Sequence, residues 1–570
     1  MRLRFLPMAT MMVIFGGLAC STPSSQDQLP DTGIADAAVD AGGSSVRTMI
    51  ASQRYLHFAV NRSALSRKVT VHHGTAFLDE FLIQLATDTI EFWSFLDVGN
   101  YAGEELSIAV PDSFNASILL ADEAPYPNDG QLYKEPYRPQ FHFTARRGWI
   151  NDPNGLVYYD GEYHLYFQHN PYGTVWGNMH WGHAVSADLV HWQELPIALY
   201  PHGPGDAVFS GSAVVDSQNT SGFRTGKESV LVAAYTSTAR GECIVYSNDR
   251  GRTFREYEGN PVIKHSGRDP KLVWFAPGGY WVMVVYDQSA GASDIAFYSS
   301  PDLKVWTYES RISGFFECPD LFQLPIDGDA NNTRWVLSAA DGAYRIGTFD
   351  GKVFTPETDK IPYQYGNNYY AAQTFDNAPG ARRIRLAFGK ATQPSMPFSN
   401  MITFPVELSL RSTPLGLRLL PTPVAELAGL QGQAFSLVDV TLGPDASNPL
   451  ATVDASVVDI DADFLLGSGL EFGFSIRGVR ISYQVLGSTL GVDSLGAAQV
   501  PIPLPSIDGH VRLRILVDRE SLEIFGNDGL AYATVQDIPT TAAQGISVFT
   551  TGGDVTIHQL HVFPLRSAWN

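Results

Sequence analysis

Similar short motifs recur along the middle of this sequence, and their spacing restricts the fold to an all-β repeat. The segment 186–192 reads SADLVHW and returns as SPDLKVW at 300–306, and a looser copy, SNDRGRTF, lies at 247–254. The aspartates of successive copies are 61 and 53 residues apart. All-β repeats of about 40–50 residues or slightly more are typical of propeller blades. At this spacing, the region 140–427 accommodates about five blades.

Turn signals inside this region predict the hairpins that a blade needs. The dipeptide Asp160-Gly161 separates two apolar runs and favours the type I′ turn of a tight hairpin. Pro277-Gly278-Gly279 separates two further apolar runs in the same manner. The regular alternation of strand and turn therefore supports a propeller of antiparallel blades.

Alternating apolar and polar residues on both sides of this region predict two further all-β domains. The run RYLHFAV at 54–60 is typical of the segment 46–125, which we expect to form a small β-sandwich. The run VRLRILV at 511–517 is typical of 433–570, a second and larger β-sandwich. The predicted fold is all-β: a five-bladed β-propeller at 140–427 followed by a C-terminal β-sandwich and preceded by an N-terminal one.

The N-terminus has the pattern of an export signal. Two arginines precede an apolar run too short to span a membrane, so 1–19 is predicted to be a signal peptide. The run ends in GLAC, which resembles a bacterial lipoprotein cleavage site and predicts lipidation of Cys20. The segment 20–45 is rich in Ser, Asp, Ala and Gly and is predicted to be a disordered tether. We expect an exported protein that is lipid-anchored to the cell envelope; secretion without an anchor is the alternative.

Charge and cysteine content argue against a nucleic-acid-binding protein and against a disulfide-stabilised fold. The formal net charge of −21 argues against nucleic acid as a partner, because phosphate binding requires an excess of Lys and Arg. A neutral sugar is compatible with an acidic surface. Apart from Cys20, the cysteines are Cys243 and Cys318, so we expect no framework of disulfides.

Three acidic residues of the predicted propeller share one local pattern. Asp152, Asp269 and Glu317 each stand one or two residues before a proline that leads into an apolar strand. Their spacings of 117 and 48 residues are close to two blade periods and one. Since equivalent positions of blades face the same end of the central channel, the three carboxylates should converge. The alternative is that each Asp-Pro pair is ordinary turn chemistry before a strand.

Convergent carboxylates without a set of metal ligands suit the cleavage of a glycosidic bond. One carboxylate acts as nucleophile or base, another acts as general acid, and a further negative charge stabilises an oxocarbenium-like transition state. Crowding raises the proton affinity of one member of such a group. Aromatic residues near the first site are candidate surfaces for a sugar ring or parts of the core, namely Trp149, Tyr166, Phe167, Trp176 and Trp181.

Two other kinds of chemistry are less compatible with the sequence. His180 and His183, with His191 nearby, could suggest zinc, but residues three apart on a strand point to opposite faces. We therefore predict no metal and no cofactor. Cys318 has no histidine placed by the sequence to activate it, so we expect it to shape the surroundings of Glu317.

Six motifs together resemble those of a known family. They are WINDPNG at 149–155, RDP at 268–270, ECP at 317–319, FSGS at 209–212, QHNP at 168–171 and HWGHA at 180–184. The first three resemble the signature motifs of glycoside hydrolase family 32, which contains invertases, levanases, inulinases and fructan β-fructosidases. The resemblance covers about 140–570. The N-terminal sandwich is similar to an accessory domain of some bacterial levanase-like members.

The resemblance implies a role for each residue of these motifs. Asp152 would be the nucleophile, Glu317 the acid/base, and Asp269, oriented by Arg268, would bind fructose hydroxyls and stabilise the transition state. The fructosyl pocket would be lined by Asn151, Gln168, Trp176, Phe209 and Ser210. The implied outcome is retention of configuration, with the two working carboxyls roughly 5–5.5 Å apart.

The implied activity is exo-acting hydrolysis of β-fructofuranosidic bonds in levan or inulin, with sucrose as a further substrate, through a covalent fructosyl-Asp152. The alternatives are a fructosyltransferase that uses the same intermediate and a non-catalytic glycan-binding protein. Asn368 stands where many family members carry an aspartate before an aromatic pair, which leaves the outer subsite open. The sequence leaves the preference among the three substrates and the oligomeric state open.

Overall fold

The computed structural model is almost entirely β-structure. It describes residues 44–111, 119–122, 132–392, 396–453, 456–493, 500–536 and 545–569. The predicted signal peptide, Cys20 and most of the predicted tether lie outside the described residues. Three short 3-10 helices occur among the described residues, at Gly99–Tyr101, Pro379–Ala381 and Ala425–Leu430.

The N-terminal domain is a sandwich of two antiparallel sheets. Its strands are β1 (Ser44–Ile50), β2 (Tyr55–Val60), β3 (Arg67–His73), β4 (Ala76–Ile83), β5 (Phe92–Asp97), β6 (Glu105–Pro111) and β7 (Leu119–Asp122). One sheet has the order β1-β6-β3-β4 and the other the order β5-β2-β7. Alternate residues such as Val69, Val71 and Phe81 face the core between the sheets, as the period of two predicts.

A five-bladed propeller follows, and each blade has four main strands. Blade I contains β8 (Gly148–Tyr159), β9 (Glu162–Asn170), β10 (His180–Ser186) and β11 (Gln193–Leu199). Blade II contains β12 (Val208–Asp216), β13 (Val230–Ser237), β14 (Gly241–Ser247) and β15 (Arg255–Glu256). Blade III contains β16 (Gly267–Phe275), β17 (Tyr280–Asp287), β18 (Asp294–Ser300) and β19 (Thr307–Ser313). Blade IV contains β20 (Asp320–Ile326), β21 (Asp329–Ser338), β22 (Tyr344–Phe349) and β23 (Phe354–Pro356). Blade V contains β24 (Tyr370–Thr374), β25 (Ile384–Gly389), the short β27 (Met401–Ile402), β28 (Val406–Thr413) and β29 (Gly416–Pro423). The short strand β26 (Phe398–Ser399) joins the sheet of blade I. The ring closes where β26 pairs in parallel with β8.

The recurrent motif that revealed the propeller forms the turn between the third and fourth strands of a blade. The carboxylate of Asp188 accepts hydrogen bonds from the backbone N–H groups of Val190 and His191. Asp302 accepts the equivalent pair two blades later. The residue after each aspartate takes a left-handed conformation, with φ of 66° at Leu189. The carboxylate stabilises this turn, so the repeat has a structural role.

The C-terminal domain is a larger sandwich packed against the propeller. Its strands are β30 (Phe435–Leu442), β31 (Val458–Leu465), β32 (Glu471–Ile476), β33 (Val479–Gln484), β34 (Thr489–Val492), β35 (Ile502–Pro503), β36 (His510–Val517), β37 (Ser521–Gly526), β38 (Ala531–Gln536), β39 (Ile546–Thr551) and β40 (Val555–Pro564). They form one sheet of six strands and one of five. The fold class predicted from the sequence, with two sandwiches flanking a five-bladed propeller, is confirmed.

A buried charge cluster joins this sandwich to the start of the propeller. His142 lies between Asp518, at 2.8 Å, and Glu523, at 2.9 Å, and none of the three side chains is exposed. Burial alone would lower the pKa of His142, but hydrogen bonds to both carboxylates raise it to about 9. Asp518 also accepts the backbone N–H of Gln140. Three charges from two domains are therefore satisfied only when the domains are docked.

Candidate active site

Each blade contributes one residue to a single cluster at one end of the propeller channel, four of them from an innermost strand. Asp152 is on β8, Ser210 on β12, Asp269 on β16 and Tyr370 on β24, while Glu317 lies three residues before the start of β20. The three carboxylates predicted from blade spacing therefore come from blades I, III and IV, two blades and then one apart.

β-bulges aim these side chains into the channel. The register of the innermost strands shifts within the pairs Ile150/Pro153, Val208/Gly211, Arg268/Lys271 and Tyr370/Gln373. A bulge leaves one residue out of the ladder and turns its side chain. Pro270 lies inside the bulge between Arg268 and Lys271, where a missing N–H costs no ladder hydrogen bond.

The backbone is also strained at the two later carboxylates. Asp269 has a φ of 68°, Glu317 of 53° and Cys318 of 40°, values that residues other than glycine rarely adopt. Such conformations persist where surrounding contacts impose them, and they occur preferentially at functional sites. The Asp-Pro and Glu-Cys-Pro motifs therefore mark sharp changes of chain direction at the channel mouth.

Asp152 is partly exposed, and both its oxygens accept hydrogen bonds. Ser210 Oγ donates to Oδ2 at 2.6 Å, and Asn151 Nδ2 donates to Oδ1 at 2.9 Å. Trp149 Nε1 donates to Asn151 Oδ1 at 2.9 Å and so fixes that amide. These donors hold the carboxylate in one orientation with a face toward the channel.

Asp269 is almost completely buried beside it. The backbone N–H of Cys318 donates to Asp269 Oδ2 at 3.0 Å. Burial raises the pKa of Asp269, and the neighbouring charges of Glu317 and Asp152 raise it further, against the opposing effect of Arg268. Crowded carboxylates thus produce the raised proton affinity that the sequence predicts.

The thiol of Cys318 bridges two of the carboxylates. Its Sγ lies 3.5 Å from Asp152 Oδ2 and 3.6 Å from Asp269 Oδ2. Burial and the negative charges around it raise the pKa of Cys318 well above the ordinary value. The group therefore remains a protonated thiol, a donor beside the carboxylates and a poor nucleophile.

Glu317 is held at both oxygens. Arg268 Nε is 3.0 Å from Glu317 Oε1, its Nη2 contacts the same oxygen, and Tyr370 Oη donates to Oε2 at 2.7 Å. The guanidinium lies over the ring of Tyr286 at 5.1 Å. Two hydrogen bonds of Arg268 thus run to Glu317, and its charge also lowers the pKa of Asp269, the residue that the resemblance implies it orients.

The remaining pocket residues predicted from the sequence surround this cluster unevenly. The rings of Trp176 and Phe209 meet edge to face at 6.2 Å, and Phe209 adjoins Ser210. Gln168 is buried and donates to the carbonyl oxygen of Val208 at 2.9 Å. Of the five aromatic residues considered as sugar surfaces, Tyr166, Phe167 and Trp181 are fully buried core residues, and only Trp149 and Trp176 are partly exposed.

Tyr370 was not predicted from the sequence. It belongs to the aromatic pair that follows Asn368, and that pair was the available signal. Its hydroxyl can be assigned to Glu317 only when the bulge on β24 is seen, because a strand without the bulge would point this side chain elsewhere.

Comparison with known proteins identifies the family. The model of the glycosyl hydrolases family 32 N-terminal domain matches residues 142–423, and that of the family 32 C-terminal domain matches 426–564. A levanase from Bacillus subtilis is 40% identical over 493 residues, 77% of this chain and 72% of the relative. An extracellular exo-inulinase from Aspergillus ficuum is 31% identical over 520 residues, 77% of this chain and 96% of the relative. The crystal structure of exo-inulinase from Aspergillus awamori is 28% identical with a TM-score of 0.70, covering 77% of this chain and all of that one.

The chain belongs to glycosyl hydrolase family 32. It is therefore a glycosidase. Both family models begin after the N-terminal sandwich, so that domain lies outside the family match.

Asn368, which precedes the aromatic pair, is a buried structural residue. Its Nδ2 donates to the carbonyl oxygen of Lys390 at 3.3 Å, and its Oδ1 accepts the backbone N–H of Lys390. Its own backbone N–H donates to Thr534 in the C-terminal sandwich at 3.2 Å. The side-chain amide thus joins two segments of the propeller, and the backbone N–H joins the propeller to the sandwich.

The histidines considered as metal ligands have separate environments. His180 contacts Asp79 of the N-terminal sandwich at 3.2 Å, whereas His183 lies 3.1 Å from His164. Among the described residues of this family 32 enzyme, no group of three or more His, Cys, Asp or Glu is arranged to hold a metal ion.

Proposed function

We propose that this glycosidase hydrolyses β-fructofuranosidic bonds in fructans such as levan or inulin, and in sucrose, by a retaining mechanism. The observation that carries the proposal is the connection of Asp152, Asp269 and Glu317, through the Cys318 thiol and the Arg268 and Tyr370 contacts, in one cluster. The names of the relatives, levanase and exo-inulinase, support fructans as the substrate class.

In the first step, Asp152 attacks the anomeric carbon of a terminal fructosyl unit. The glycosidic C–O bond breaks, Glu317 gives its proton to the leaving oxygen, and a fructosyl ester forms on Asp152. Ser210 and Asn151 keep the carboxylate oriented for attack. Asp269 binds fructose hydroxyls, and its charge stabilises the oxocarbenium-like transition state.

In the second step, Glu317 accepts a proton from water, and the resulting oxygen nucleophile attacks the same carbon. The ester bond breaks, Asp152 leaves as a carboxylate, and fructose is released with its configuration retained. Tyr370 and Arg268 keep Glu317 within reach of the leaving glycosidic oxygen in the first step and of the water oxygen in the second. Two inversions at one carbon require the nucleophile and the acid/base to lie on opposite sides of the sugar.

The burial of the innermost site residues supports exo attack. Asp269, Ser210 and Gln168 are buried at the base, whereas Trp176 and Phe209 are partly exposed. A site closed at one end accepts a chain terminus more readily than the middle of a polymer. The relatives named exo-inulinase support the same mode.

The proposed location is outside the cytoplasm. The export signal at 1–19 and the lipoprotein-like site at Cys20 support an enzyme anchored to the cell envelope. Polymeric fructans are too large to be taken up before cleavage, which suits an exported hydrolase. Labelling with a radioactive fatty acid, and its loss in Cys20→Ala, tests the anchor.

Product analysis of the purified protein on levan, inulin and sucrose tests the function. We expect free fructose from all three and none from Asp152→Asn, while Asp160→Asn, in an exposed turn, keeps wild-type activity. Formation of longer oligosaccharides without free fructose would indicate a transferase. Sugar binding without any turnover would indicate a glycan-binding protein and refute the proposal.

A further inference from the structure

The N-terminal sandwich lies against the loop that carries Trp176. This loop, 171–179, connects β9 to β10 in blade I, and its residues Tyr172 and Asn178 contact strand β4 of the sandwich. Strand β4 is the edge of its sheet, with unpaired backbone groups that need a cover. The family match begins at 142, so strand β4 lies outside the matched region and the loop lies inside it.

Tyr172 of the loop completes the core of the sandwich. Its side chain is fully buried, stacks on Phe81 with ring centroids 3.6 Å apart, and meets Phe58 edge to face at 6.4 Å. It belongs to the same hydrophobic cluster as the residues between the two sheets. A residue of the catalytic domain thus fills the interior of the accessory domain, so neither surface is free.

Asp79 of β4 contacts both the Tyr172 hydroxyl and His180, which follows the end of the loop. Tyr172 Oη donates to Asp79 Oδ2 at 2.6 Å, and His180 Nε2 lies 3.2 Å from the same oxygen. The other ring nitrogen of His180 is 2.6 Å from the carbonyl oxygen of Asn178. Asp79 has no exposed surface, so losing a partner would leave a buried carboxylate oxygen unsatisfied.

Asn178 extends the edge of the sandwich with its side chain. Its Oδ1 accepts the backbone N–H of Leu82 and its Nδ2 donates to the carbonyl oxygen of Leu82, both at 2.8 Å. Nδ2 also donates to Asn170 Oδ1 at 3.0 Å, which joins the loop to the end of β9. The Asn178 side chain therefore makes the two backbone hydrogen bonds that a residue of a neighbouring antiparallel strand would make.

These anchors bracket Trp176 at both ends of a short loop. The Trp176 ring meets Phe209, the residue before Ser210, which donates to the proposed nucleophile. An unanchored loop containing Gly173 and Gly177 would sample many conformations, and ordering them on substrate binding would weaken affinity.

We infer that the N-terminal sandwich is a positioning element of the sugar pocket: Asp79, Tyr172 and Asn178 hold Trp176 where it contacts the terminal fructosyl unit. The inference rests on the proposed function for the identity of the sugar. The sandwich acts through the loop and contacts no reacting atom. Loss of the contacts between the sandwich and the loop should therefore affect substrate binding more than the chemical step.

The test compares Tyr172→Phe and Asp79→Asn with Ser94→Ala in the full chain. Ser94→Ala is a matched control, because it also removes one buried hydroxyl of the sandwich, 3.4 Å from the carbonyl oxygen of Phe58. In both test variants we expect KM for levan and sucrose to rise about 2- to 10-fold, with kcat within about twofold. Amide hydrogen exchange in peptides covering 171–179 should accelerate by a similar factor, and Ser94→Ala should leave both readings unchanged.

Unchanged exchange at 171–179, or faster exchange with wild-type KM, would overturn the inference. Equal changes in Ser94→Ala would also overturn it, because they would indicate general destabilisation of the sandwich. Absence of fructose release by the wild-type protein would instead refute the proposed function. The exchange measurement would then decide alone whether the loop depends on the sandwich.

Discussion

At the scale of single residues, the site combines one nearly buried carboxylate with two partly exposed ones. Burial raises the pKa of Asp269, and the Cys318 thiol, whose pKa is also raised, supplies a proton donor between Asp269 and Asp152. Glu317 instead receives a cation and a hydroxyl, from Arg268 and Tyr370. Different surroundings give chemically similar groups different tasks.

Tyr370→Phe should lower kcat/KM for levan by about 10-fold or more, because a hydrogen bond to a charged group typically contributes about 1.5–3 kcal/mol. The change removes only the hydroxyl that donates to Glu317. Steady-state kinetics at constant pH measure the effect. Tyr369→Phe is the matched control, since that ring packs against Tyr363 and Tyr532 in the core. Equal losses in the two variants would contradict the role given to Tyr370.

At the scale of elements, the innermost strands place the site residues through bulges. The strand spacing and the recurrent aspartates predict the blades, because both depend on local turn chemistry. The bulges could not be predicted, since they arise from the pairing of a strand with its neighbour. The convergence of the three carboxylates was predictable, because it depends on blade spacing. The contacts of Tyr370 and Arg268 were not predictable, because they depend on the bulges and on pairing between strands.

Gly211→Ala should disturb the bulge on β12 and displace Ser210. An added Cβ at Gly211 would lie 1.9 Å from the carbonyl oxygen of Ala234 on β13, so the strands must separate. We expect a loss of stability of about 2 kcal/mol or more and a marked fall in kcat/KM. Chemical denaturation and initial rates measure the two effects. Gly203→Ala, where an added Cβ meets no atom within 4 Å, should leave both at wild-type values.

At the scale of the whole molecule, buried polar contacts fix both sandwiches on the propeller. His142 and Asp518 join the C-terminal domain, and Asp79 and Tyr172 join the N-terminal one. The sequence predicts the three domains from their alternating strands. It could not predict how they dock, because the partners are distant in the chain and each looks like an ordinary polar residue alone.

The His142 contacts predict a loss of stability at alkaline pH. Because its pKa is raised from 6.5 to about 9, the stabilisation, on the order of 3 kcal/mol, is complete below pH 6.5 and is lost as pH rises through 9. Urea denaturation at pH 7 and pH 10 measures the change. His142→Gln, which cannot be protonated, should be less stable than wild type at pH 7 and differ little at pH 10. A constant difference between the two proteins would contradict this interpretation.

The most direct test of the proposed chemistry is to trap the covalent intermediate. The Glu317→Gln variant, mixed with a fructosyl donor that needs no acid to leave, should accumulate the ester because the base that activates water is missing. Peptide mass spectrometry after an acid quench should find one fructosyl group on the peptide that contains Asp152. A fructosyl group on Asp269, or continued turnover without an adduct on Asp152, would contradict the proposed mechanism.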